Sequence, residues 1–117
     1  MSAAKYLIEK YQSVVCISGA TDIIMNGNET YFVDNGHPMM TKVTGLGCSA
    51  SAIVGACAAV SENKTEATIA AMSLLGMAGE LAEKISNGPG SLQVNILDKL
   101  WNISEQEFFE NVNISKK

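Results

Sequence analysis

An α/β fold, with one buried strand plus a hairpin followed by four helices, is what three features of this 117-residue sequence predict. The first is "SVVCIS" (13–18), a continuous β-branched run of the kind that fills a strand covered on both faces, as in a parallel sheet. The second is the pair "DIIM" and "TYFV" around "NGNE". Asn26 and Gly27 both tolerate positive φ, which predicts a hairpin turn there. The third is the remainder of the chain after residue 47, where helix starts and stops follow one another closely.

Taken in order, residues 2–12 read as the last turns of a helix with Tyr6, Leu7 and Tyr11 on one side. The strand over 13–18 ends at Gly19. After the hairpin, residues 34–42 form a loop containing Gly36 and Pro38, and a helix is expected from Cys48 to about Val60. The uncharged stretch 43–60 approaches the roughly 18 residues of a membrane span. It is built from Gly, Ala and Ser rather than Leu and Phe, so it reads as an interior helix. Asn63, with Glu66 reaching back, caps a second helix that runs to about Ser86 and is stopped by "NGPG" (87–90). Ser91 caps a third helix carrying Leu92, Ile96, Leu97, Leu100 and Trp101. Ser104 with Glu107 caps a last one holding Phe108 and Phe109. No repeat, low-complexity tract or linker divides the chain, which predicts one domain over 1–117. One buried strand and a hairpin make a marginal sheet in water. Partner strands are therefore expected from absent sequence or another chain, and the domain reads as a fragment of a larger one.

Composition narrows the function. A hydrophobic content of 47% supports a packed core, and the net charge of −4 argues against a nucleic-acid or acidic-membrane surface, which needs a basic footprint. The first twelve residues are too charged for the apolar core of a signal peptide. Cys16, Cys48 and Cys57 are odd in number and lack CxxC spacing, so disulfide and zinc readings are both weak. A cytoplasmic protein is expected.

The chemistry concentrates in "TGLGCSASAIVGACAAV" (44–60). Gly45 and Gly47 let backbone N–H groups approach a ligand, and the helix that follows offers unpaired N–H groups at the positive end of its dipole. That combination suits an anion, although a tight turn would account for the glycines equally well. A thiol at a helix N-terminus can have its pKa lowered to about 3.5–7.5, which would make Cys48 a thiolate at neutral pH. Cys16 and Cys57 read as core packing, as do Met39, Met40, Met72 and Met77, and His37 as a solvated or structural loop residue. Cys48 as a covalent nucleophile lacks any His or Asn placed by the sequence to activate it.

"VVCISGATDIIMNGNETYFVDNGHPMMTKVTGLGCSASAIVGACAAV" and "NGPGSLQVNILDKL" together resemble the C-terminal half of hydroxyethylthiazole kinases, thiamin-salvage enzymes of the ribokinase-like superfamily. The resemblance runs from about Val14 to the final helix, and its TKVTGxGC block is far more specific than GxG alone. It implies a three-layer fold and ATP-dependent phosphorylation of the hydroxyl of 4-methyl-5-(2-hydroxyethyl)thiazole, with Mg²⁺. It implies Cys48 as the base that takes the alcohol proton, Gly45 as a contact to the thiazole alcohol, and Ser18 with Gly47 on the ATP side. Ser18 stands where the family has Thr, and Ala20 where "TGEVD" has an acidic residue. The family is longer and trimeric, with thiazole sites between subunits. The missing N-terminal half or other subunits are therefore expected partners, and this chain alone is expected to be inactive. The competing expectation is a non-catalytic remnant or subunit that keeps a nucleotide-binding or oligomerising surface.

Overall fold

The computed structural model describes residues 2–117. Helix α1 (Ser2–Tyr11) leads to strands β1 (Val15–Ile17), β2 (Asp22–Met25) and β3 (Thr30–Val33). A short 3₁₀ turn (Pro38–Lys42) then precedes α2 (Leu46–Val60), α3 (Lys64–Glu83), α4 (Pro89–Asn102), α5 (Glu105–Asn111) and a terminal strand β4 (Ile114–Lys116). The four strands form one antiparallel sheet in the order β1-β2-β3-β4, with Cys16 opposite Ile24, Ile24 opposite Tyr31 and Phe32 opposite Ser115.

Strand alternation sets the layers, because successive side chains of β2 point to opposite faces. Ile24 packs with Val33 against Met72 and Ile69 of α3 and Ala50 and Val54 of α2. Its neighbours Ile23 and Met25 pack on the opposite face with Ala4 and Ile8 of α1. The sheet thus lies between α1 and the α2–α3 pair, giving three layers. On the far side of α3, Leu92 and Ile96 of α4 meet Leu75, Ala78 and Ala82. Burial of each large side chain among these is worth about 1.5–3 kcal/mol.

Several expectations hold and several change. The hairpin forms, but neither Asn26 nor Gly27 has positive φ. Instead Asn26 N donates to Glu29 O (3.0 Å), and the Asn26 carboxamide oxygen accepts from the N–H groups of Asn28 and Glu29. The connection is therefore four residues long, organised by an Asn side chain. The run at 13–18 does not become a strand covered on both faces. Among the described residues β1 is an antiparallel edge strand, paired only with β2, and Cys16 and Ile17 are exposed. Helix α2 begins two residues earlier than expected and has no fully buried residue, so it is a flank of this chain rather than an interior helix. On α1, Ala4 and Ile8 face the core while Tyr6, Leu7 and Tyr11 are exposed. Asn63 caps α3 by accepting from Glu66 N (3.0 Å), and Ser104 and Glu107 form the expected reciprocal box on α5. Helix α4 starts at Pro89, ahead of Ser91, whose hydroxyl reaches back to accept from Asn87 N and Gly88 N. Strand β4 had no sequence signal, since "ISK" is short and polar at two of three positions.

Candidate functional site

The end of β1, the loop after β3 and the start of α2 surround a cleft of about 580 Å³. Ser18, Asp22, Asn35, His37, Leu46 and Gly47 are among its walls. Each arrives by local folding rules. Asp22 opens β2 and is buried, and its Oδ1 accepts from Gly19 N (3.0 Å), which pins the turn carrying Ser18. Burial, only partly offset by that bond, holds the Asp22 carboxyl above the usual carboxylate range. His37 caps the 3₁₀ turn, its Nδ1 accepting from Met39 N (3.1 Å), and its Nε2 lies 3.8 Å from Glu83.

Gly45 is the N-cap of α2 at φ +86°, a conformation that strains any L side chain, and no side chain caps the helix. The first intrahelical bond is Ser49 N to Gly45 O (3.1 Å), so the N–H groups of Leu46, Gly47 and Cys48 precede it in the first turn. A Cβ added at Gly45 or at Gly47 would meet nothing within 4 Å. Packing within this chain therefore gives no reason for glycine at position 47, where the backbone is ordinary helix.

Of the residues singled out in the sequence, Ser18 and Gly47 line the common cleft. Gly45 and Cys48 flank that wall without lining it, and Cys48 is exposed at the third position of α2. Cys16, expected in the core, is exposed as a residue. Partial burial of its thiol, and second the Asp22 carboxylate that disfavours the thiolate, nonetheless push its pKa up to about 11. Cys57 is half-buried. Met77 is fully buried, and Met40 packs so closely on Gly79 that a Cβ there would lie 2.1 Å from its sulfur. Sequence reading missed Asp22, Asn35 and His37 as cleft residues. A usable signal was the polar group Asp34-Asn35-Gly36-His37 directly after a buried strand, where short polar side chains commonly bond backbone.

A model of the hydroxyethylthiazole kinase family matches residues 1–106. The chain belongs to that family. Hydroxyethylthiazole kinase of Syntrophus aciditrophicus is 47% identical over 114 residues, and that of Psychromonas ingrahamii 46% over 115 residues. These alignments cover 97% and 98% of this chain but 42% of each relative, so the chain spans less than half the length of the relatives it matches. The structure of hydroxyethylthiazole kinase from Pyrococcus horikoshii OT3 superposes with a TM-score of 0.90 at 32% identity, covering 99% of this chain and 47% of that one. Ser18, Gly45, Gly47 and Cys48 all fall inside the region matched to the hydroxyethylthiazole kinase family, whereas β4 lies beyond it. The Mg²⁺ implied by the resemblance finds no ligand set here. Among the described residues no three His, Cys, Asp or Glu side chains gather as a metal site, and Asp22 in the cleft wall already gives one oxygen to Gly19. These residues alone do not complete a coordination sphere for the ion. Nor is any described helix long and apolar enough to cross a membrane.

Proposed function

We propose that this chain is the C-terminal portion of a hydroxyethylthiazole kinase, moving the γ-phosphoryl group of ATP onto the hydroxyl of 4-methyl-5-(2-hydroxyethyl)thiazole. The observation that carries the reading is the meeting of Ser18, Gly47 and the uncapped start of α2 on one cleft, with open space where Gly47 lacks a Cβ. First-turn N–H groups are fixed donors that neutralise phosphate charge as it shifts, which is most of what phosphoryl transfer requires. Ser18 adds a hydroxyl from the strand end. Cys48, one residue past Gly47, takes the alcohol proton. The alkoxide oxygen then bonds to the γ-phosphorus as the bond to the β–γ bridging oxygen breaks, and ADP leaves with that electron pair. Gly45, next to this turn, contacts the thiazole alcohol.

The open edge of β1 and the uncharged face of α2 are covered, in this reading, by the part of the kinase that the chain does not span, and the assembly is a trimer in the cytoplasm. The coverage of only 42% of the relatives favours one other reading, a non-catalytic chain that keeps a nucleotide-binding or oligomerising surface. An amide-shift titration with ATP tests the cradle. Leu46, Gly47, Cys48 and Gly19 are expected to shift together and saturate. Shifts confined to other surfaces would overturn the assignment of the ATP side.

A further inference from the structure

Behind the cleft wall lies a polar cluster that the phosphate cradle does not use. Glu80 of α3 accepts from Gly36 N at Oε1 (2.7 Å) and from Asn35 Nδ2 at both oxygens (3.2 and 3.3 Å). Asn35 is buried, and its remaining capacity goes to the C-terminal segment. Its Nδ2 donates to Asn111 O (2.9 Å) and its Oδ1 accepts from Asn113 N (2.8 Å), while Asp34 N donates to Asn113 O (3.0 Å). Gly76 permits the approach, since a Cβ there would lie 2.6 Å from Asn35 O. Gly36, at φ +134°, carries the chain from this cluster into the wall formed with His37.

We propose that Glu80 and Asn35 are positioning residues of the cleft, and that the C-terminal segment from Asn111 onward locks them. Three separate pieces of chain meet at one saturated amide: helix α3, the loop after β3, and the C-terminal segment. Hydrogen bonds to a carboxylate are stronger than neutral ones, and a fully satisfied buried network fixes one arrangement rather than many. The wall residues Asn35 and Gly36 thus take their places from Glu80 and the tail. The consequence for substrate rests on the kinase reading above; the mechanical coupling does not.

Amide hydrogen exchange on the 117-residue chain tests the coupling. Glu80→Ala and Asn35→Asp are each expected to speed exchange at Gly36 by about tenfold or more, as loss of a charge-assisted bond implies. The amides of Leu92 and Ile96 in α4 should keep their protection. Asn35→Asp sets two carboxylates against each other, and adding Glu80→Gln restores a donor between them. That double variant should recover part of the Gly36 protection, since the carboxylate at 35 still cannot donate to Asn111 O. Ending the chain after Glu110 should also release Gly36. In a chimera that supplies the rest of the Syntrophus aciditrophicus kinase, Glu80→Ala should raise KM for the thiazole alcohol more than it lowers kcat. Unchanged exchange at Gly36, or loosening shared equally by α4, would overturn the proposal, as would an unaltered KM alongside fast Gly36 exchange. A wild-type chimera without turnover would remove the kinase reading and leave the exchange result to decide the coupling.

Discussion

At Gly47 and Cys48 the roles of neighbouring residues can be separated by substitution. Gly47 lies in regular helix with open space around it, so Gly47→Ala should leave the melting temperature unchanged or raise stability by up to about 1 kcal/mol. The same change should weaken ATP binding, because the added methyl stands where the phosphate approaches; calorimetric melting beside a nucleotide titration checks both. For Cys48, replacement by Ala in an active chimera should lower kcat by about 10²- to 10⁴-fold, the usual worth of a general base. Nucleotide affinity should stay near wild type, since the backbone donors survive, and Cys48→Asp should keep turnover because a carboxylate can accept the same proton. Loss of ATP binding in Cys48→Ala would mean that the side chain shapes the cradle. Asp22 gives a pH signature. Its folded pKa lies above the unfolded value near 3.8, so the folded state holds its proton more tightly across the interval between the two. Its contribution to stability is therefore greatest below that interval and falls as pH rises through it. A carboxamide at this position would retain an acceptor for Gly19, so urea denaturation of Asp22→Asn against pH should show a smaller fall over the same window.

At the scale of elements, local chemistry determined what the sequence could reveal. The caps at Asn63 and at Ser104–Glu107 were legible because they are short-range side-chain-to-backbone bonds, and the hairpin was legible from its turn residues even though its turn differs. The strand at 15–17 was legible as a strand but not in its partnering, since a β-branched run reports apolar cover without saying whether this chain supplies it. The same ambiguity made α2 look interior when it is a flank. Strand β4 and the Asn35 cluster were invisible because both depend on contacts between residues far apart in the chain. The glycine turn was legible as an uncapped helix start, while Asp22 entered the cleft only through the sheet register. Inside α3, Ser73 is fully buried and its hydroxyl has no partner among the described residues. Removing an unsatisfied buried hydroxyl should help, so Ser73→Ala should raise stability by about 1 kcal/mol in equilibrium unfolding. A loss of similar size would show that the hydroxyl has a partner in the working assembly.

The whole molecule shows the two layers that flank its sheet and leaves two surfaces of its own uncovered. Among the described residues the outer edge of β1 is unpaired, and α2 carries no charged residue along Leu46–Val60 although none of it is fully buried. Such surfaces favour association in water. Sedimentation of the isolated chain should therefore show a concentration-dependent increase in mass that Ile17→Lys, on the exposed edge, reduces. In the function proposed above, the cleft between β1 and α2 is the phosphate side of a thiazole kinase that needs the portion of its relatives not spanned here. The decisive experiment is phosphorylation of 4-methyl-5-(2-hydroxyethyl)thiazole by this chain mixed with, or fused to, the complementary portion of the Syntrophus aciditrophicus enzyme. Transfer of labelled phosphate from γ-labelled ATP is expected only when both portions are present, and is expected to fall at least about a hundredfold, on the order of a general base, with Cys48→Ala. A folded, associated pair that transfers no phosphate, or that transfers it equally well without Cys48, would contradict this reading.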